Sequence, residues 1–119
     1  MIFVGNDIVE ISRIDALLKK YKTHFLNKIF SKDEIDIVSN KLNKSVHLSG
    51  KFAAKEASKK ALMSAGFSNI YLKNIEILNK KNGAPYIVIR DFNRLKNIDK
   101  LQLSISHTNE YATAIVILD

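Results

Sequence analysis

Residues 49–62 read SGKFAAKEASKKAL. The run belongs to one long helix, expected from about Ser45 to Ala65, with Gly66 as its C-cap. At about 100° per residue, Phe52, Glu56, Lys59, Lys60 and Met63 share one side of it. Ala53, Ala54, Ala57 and Ala61 fall on the opposite side, and such a small-residue face lets a helix approach a sheet or another helix closely. Glu56 stands between Phe52 and Met63, with Lys60 one turn on. Its ordinary role would be an i,i+4 pair with Lys60, worth a few tenths of a kcal/mol. A carboxylate bracketed by apolar side chains is also placed to hold a ligand.

Around this helix the periodicity gives an α+β order. Residues 2–5 read as a short buried strand ending near Asn6-Asp7. Ser12 is placed to cap a helix from Arg13, in which Ile14, Leu17, Leu18 and Tyr21 recur at helical spacing. His24 to Phe30 forms a second short helical stretch, and Ser31-Lys32-Asp33-Glu34 is a capping box that starts a third. Residues 75–78 and 85–89 are β-rich and flank Asn82-Gly83, a turn signal. Residues 91–98 suit a helical connection. Residues 101–107 alternate strictly, and the apolar run 111–118 makes a hairpin with them across Thr108-Asn109-Glu110. Helices first and strands last predict an α+β domain over 1–119, with a mainly antiparallel sheet packed on the central helix.

With 119 residues, 46% of them hydrophobic, the chain has enough for one core, and assembly would relieve its poor surface-to-volume ratio. The absence of cysteine excludes disulfide scaffolds, thiolate metal sites and cysteine catalysis. The start, MIFVGNDIVEIS, lacks the basic opening of a secretion signal, and no apolar run reaches the roughly 20 residues of a membrane span. A cytoplasmic protein is expected. The net charge of +7 favours an anionic partner, yet only three residues are arginine: Arg13, Arg90 and Arg94. Charge alone leaves nucleic acid, an acidic protein and a phosphate-rich small molecule open.

Three side chains stand out for chemistry. Asp7 sits at the expected end of the first strand, where a turn residue is ordinary. Together with Glu56 it would supply two carboxylates from separate elements, a set that suits a hard cation such as magnesium. His107 extends the row Leu101, Leu103, Ile105 to the end of its strand, either as a hydrogen-bonded rim residue or as a phosphate donor or proton-transfer group. Gly83-Ala84-Pro85 alone is only a turn. No Walker loop, GxGxxG, HExxH or GxSxG occurs.

Five blocks, in this order, give the chain a family likeness. They are Gly5-Asn6-Asp7-Ile8-Val9-Glu10-Ile11 with Arg13-Ile14, residues 28–34 (KIFSKDE), residues 50–57 (GKFAAKEA) with Lys60-Ala61-Leu62, Gly83-Ala84-Pro85, and residues 104–108 (SISHT). Taken together they resemble the holo-[acyl-carrier-protein] synthases, the small class of 4'-phosphopantetheinyl transferases, essentially end to end. The resemblance implies an α+β fold and a homotrimer with active sites between subunits. It implies magnesium-dependent transfer of the phosphopantetheine arm of coenzyme A to a serine of apo acyl carrier protein, in fatty acid biosynthesis. Adenosine 3',5'-bisphosphate would be released.

By that match Asp7 and Glu56 are the magnesium ligands, and Lys60 neutralises phosphate charge. His107 lines the coenzyme pocket, and Gly83 to Pro85 meet its adenine end. Lys44 and Lys51, with Lys41, are expected phosphate contacts. Arg13 is the contact to the acidic carrier protein, with Lys20 and its neighbours extending the basic surface that steers it. Glu56, Lys60 and His107 are the expected catalytic set, and the base that takes the serine proton stays open. Lys51 stands where arginine is common, Ala84 where lysine is common, and Met63-Ser64-Ala65-Gly66 replaces a more glycine-rich helix end. Nucleic-acid binding is not expected, because the aromatic residues fall at apolar-periodic positions rather than interleaved with arginine. A non-catalytic scaffold for carrier proteins would have no need of Asp7, Glu56, Lys60 and His107 together.

Overall fold

The computed structural model describes residues 1–90 and 101–119. The segment 91–98, read above as a helical connection, lies outside the described residues. Strand β1 (Phe3–Glu10) leads into helices α1 (Ile11–Tyr21), α2 (Thr23–Ile29), α3 (Lys32–Ser39) and the long α4 (Lys44–Ser64). Strands β2 (Ile75–Asn79), β3 (Pro85–Ile89), β4 (Leu101–His107) and β5 (Tyr111–Leu118) follow. The strands form two antiparallel sheets, β1-β5-β4 and β2-β3, where the pattern alone had suggested one. No helix among the described residues is long and apolar enough to cross a membrane.

The alanine face of α4 decides the packing. Ala53, Ala54, Ala57 and Ala61 are all fully buried, and the helix lies across β1 and β5. Gly5 sets the closeness of that approach: a Cβ there would stand 2.0 Å from Ala57 O and 2.7 Å from Ala61 N. Val9, Ala112, Ala114, Val116 and Leu118 complete the inner face of the sheet. The helix ends in a Schellman motif: Gly66, at φ +99°, donates to Met63 O and Phe67 N–H to Leu62 O, each at 3.0 Å.

Two boundaries differ from expectation. β1 does not stop at Asp7 but continues to Glu10, because β5 pairs with it residue for residue up to Glu10 opposite Tyr111. Asp7 is therefore a mid-strand residue opposite Ala114, not a turn residue. α1 starts at Ile11 without a side-chain cap, since Glu110 O accepts the Ile11 N–H at 2.9 Å and Ser12 is not needed. The Ser31 capping box forms as read, with both reciprocal bonds present.

Glu34 does more than cap. Its Oε1 also meets Lys55 Nζ at 2.6 Å, and its Oε2 accepts from Ile77 N–H at 2.9 Å. Both side chains are 0% exposed. Lys55 donates further to Leu72 O and Ile75 O, at 2.9 and 2.6 Å, and lies over the Phe30 ring. Burial pushes its ammonium below the ordinary lysine range, with Glu34 opposing. Glu76, also buried, takes Ser31 Oγ and Arg90. This network ties α3 and α4 to the β2-β3 hairpin and satisfies the charges it buries.

Candidate active site

Asp7 on β1 and Glu56 on α4 line one cavity of about 680 Å³. Arg13, Leu17 and Tyr21 of α1, His24 and Lys28 of α2, and Phe52 form other parts of its wall. Lys60 does not pair with Glu56. Its ammonium reaches across to β1, meeting Asn6 O at 3.0 Å and Asp7 Oδ1 at 3.1 Å. The lysine thus crosses the interface that the Gly5 approach makes close. Among the described residues Glu56 has no side-chain hydrogen bond or ion pair, so its carboxylate is free for a ligand. The i,i+4 pairing that the helix pattern suggested is replaced by a tertiary contact.

A second, smaller cavity of about 230 Å³ is walled by α4, the β2-β3 hairpin and the end of β4. It brings together Lys51, Gly83, Pro85 and His107, joined by His47, Gly50 and Asn79. His107 is exposed rather than a continuation of a buried row, because it ends β4 and its ring stands at the rim. Lys44 lies one turn away at the exposed start of α4 and does not line the cavity. Lys20 is exposed on α1, its ammonium 5.2 Å from the centre of the Tyr21 ring.

Lys51 departs from the expected free phosphate contact. It is buried, and its Nζ donates to Ile77 O at 2.5 Å and to Asn79 Oδ1 at 3.3 Å. Burial pushes its ammonium down to about 8, against the opposing pull of Glu34. The sequence reading also missed His47, His24 and Lys28. For His47 the signal was present only as spacing: His47, Gly50 and Lys51 recur at i, i+3 and i+4 on α4. Although His47 is exposed, partial desolvation by the protein around it holds its imidazole below the usual pKa, and the charges of Lys41, Lys51 and His107 add to the effect.

Among the described residues the two cavities share no lining residue, so the chain folds the expected site residues into two groups. The profile of the 4'-phosphopantetheinyl transferase superfamily matches residues 3–116. The chain belongs to this superfamily. The transferase is 45% identical over 115 residues to a holo-[acyl-carrier-protein] synthase of Protochlamydia amoebophila, spanning 96% of this chain and 94% of that one. The Helicobacter pylori holo-[acyl-carrier-protein] synthase, solved in complex with coenzyme A, superposes with a TM-score of 0.84 at 34% identity, covering 98% and 99% of the two chains. That of Neisseria meningitidis gives 0.86 at 27% identity over 100% and 99%. The transferase therefore has the α+β architecture of these enzymes, including the long helix against an antiparallel sheet.

Proposed function

We propose that this transferase moves the 4'-phosphopantetheine arm of coenzyme A to a serine of an apo acyl carrier protein, serving fatty acid biosynthesis in the cytoplasm. The serine Oγ forms a new bond to the phosphorus that carries pantetheine. The pyrophosphate P–O bond breaks, adenosine 3',5'-bisphosphate leaves, and the serine proton passes to a base. The observation that carries this is the convergence of Asp7, Glu56 and Lys60 on the β1–α4 interface. Two carboxylates on separate rigid elements, one of them unpaired, fit a magnesium ion that takes its other oxygens from water and phosphate. Magnesium held by Asp7 and Glu56 would neutralise pyrophosphate charge, the main obstacle to attack.

Lys60, already fixed beside Asp7, adds positive charge for the leaving phosphate. His107, Lys51, Gly83 and Pro85 form the coenzyme cavity, with Lys44 at its approach. Arg13 on the wall of the first cavity and exposed Lys20 suit an acidic carrier protein docking along α1.

The same proposal includes a homotrimer with sites between copies. The outer sheet face exposes Val4, Ile8, Ile115 and Ile117 (Ile8 at 64%), an apolar surface suited to another copy. The division of the expected site residues between two cavities of one chain supports sites shared with a neighbour. Intact-mass spectrometry of apo carrier protein with coenzyme A and magnesium tests the reaction. Gain of one phosphopantetheine that needs magnesium and is lost with Glu56→Ala is expected. No gain with a competent acidic carrier protein would favour a scaffold.

A further inference from the structure

Lys60 takes one of the two carboxylate oxygens that a metal at Asp7 could use. Its ammonium donates to Asp7 Oδ1 at 3.1 Å and to Asn6 O at 3.0 Å. An ammonium has three donors, so one N–H remains for a further acceptor. The lysine side chain is 53% exposed and that of Asp7 only 17%. Lys60 can therefore turn towards a ligand while Asp7 stays in β1, where the register with β5 fixes it opposite Ala114. Asn6 O, a backbone atom, is the pivot for that turn.

Charge decides what can join this pair. A divalent cation added to Asp7, Glu56 and Lys60 leaves the group with one net positive charge, and Arg13 and Lys28 stand on the wall of the same cavity. Like charges within about 5 Å oppose that addition. A phosphate reverses the balance. Its oxygens can meet the cation and also accept from Lys60, so the ammonium gives up Asp7 Oδ1 without losing an anionic partner. Resting on the magnesium and coenzyme assignment above, we infer that Lys60 guards Asp7. Its ammonium opposes a bare divalent cation and yields the carboxylate when a phosphate arrives to receive it, so metal and coenzyme bind cooperatively.

Manganese(II) is the probe, because it takes carboxylate and water ligands as magnesium does and is paramagnetic. Electron paramagnetic resonance separates free from bound ion in the purified protein without coenzyme. Lys60→Met should bind manganese more tightly than the wild type by on the order of tenfold, the weight of one nearby charge at a half-exposed site. Lys60→Gln, which can keep the bond to Asn6 O, should behave alike, and Lys60→Arg should stay close to the wild type. The gain should vanish when Asp7→Asn is added to Lys60→Met. Saturating coenzyme A should tighten manganese binding in the wild type by a factor about tenfold larger than in Lys60→Met, and manganese should tighten coenzyme A reciprocally. Unchanged or weaker manganese binding in folded Lys60→Met and Lys60→Gln overturns the inference, since the lysine would then orient Asp7 rather than compete for it. Equal coupling in wild type and variant overturns it too. If the folded wild type binds no coenzyme A with manganese present, the coenzyme assignment falls instead, and the comparison without coenzyme still decides whether Lys60 opposes the metal.

Discussion

Gly5→Ala is expected to damage the fold and the site through one displacement. The new methyl would stand 2.0 Å from Ala57 O and 2.7 Å from Ala61 N, both backbone atoms that no rotamer change can move. Even to reach 3.0 Å, below which real Cβ atoms are essentially never found, α4 and β1 must separate by about 1 Å. Overpacking of this kind costs about 1–3 kcal/mol, and a backbone clash lies at or above the top of that range. Lys60 spans the same interface with bonds of 3.0 and 3.1 Å. An opening of about 1 Å stretches both beyond hydrogen-bond range and draws Asp7 away from Glu56. Misplacement on that scale can lower a rate by about 100-fold. Urea unfolding reads the first effect. Carrier-protein modification, followed by mass at a temperature where the variant's circular dichroism is native, reads the second. Gly66→Ala is the control: its φ of +99° makes alanine strained there, but nothing among the described residues lies within 4 Å of the added Cβ, so α4 and β1 are not forced apart. Loss of less than about 1 kcal/mol in Gly5→Ala, with activity intact, would refute the claim that this approach sets the site.

Lys55→Met should cost about 3–5 kcal/mol in urea unfolding, because it leaves Glu34 charged and buried, and adding Glu34→Gln should recover part of the loss. Burial holds Lys51 at about 8 against 10.5 for a free lysine, so between these values the folded chain binds fewer protons than the unfolded one. Its unfolding free energy should therefore rise with pH across that window, by on the order of 3 kcal/mol from this group, and Lys51→Met should remove that share and leave what buried Lys55 adds; a flat wild-type profile there would contradict the assignment. Ile115→Asp places a charge on the exposed sheet face and should yield a folded but dissociated and inactive chain in sedimentation and activity measurements; an intact oligomer would show that this face is not the contact.

What the sequence made legible is what local spacing controls. The alanine stripe of α4, the Ser31–Glu34 box, the Gly66 end and the alternation of β4 all depend on residues within a turn or a strand of one another. What it hid depends on partners far along the chain. Asp7 looked like a turn residue because two polar residues follow an apolar run, and only the register with β5 carries the strand through them. Lys60 looked like the partner of Glu56 because they are four apart, yet a strand more than fifty residues earlier offers two acceptors together. Glu34 was visible as a cap but not as the counter-ion of Lys55, since nothing local pairs them. Lys51 and His47 share a helix face, and which of them turns inward is decided by β2, not by α4.

The two cavities bear on how a complete site would form. Phe52 and Glu56 open to one side of α4, and His47, Gly50 and Lys51 to nearly the opposite side. One extended ligand on a single chain would have to pass around the helix to touch both. Head-to-tail contacts in the proposed trimer would avoid this: the first cavity of each copy would face the second cavity of the next, and the ring would close. Such an arrangement predicts complementation. Glu56→Ala spoils the first cavity and leaves the second intact, while His107→Ala does the reverse. Each variant alone should be nearly inactive. When equal amounts are dissociated, mixed and reassembled, an intact site forms wherever a His107→Ala copy presents its first cavity to the second cavity of a Glu56→Ala copy. Random assembly makes that pairing in about a quarter of junctions, one half times one half, so about a quarter of wild-type activity should return. If each chain carried its own complete site, no mixed junction would be intact and mixing would restore nothing.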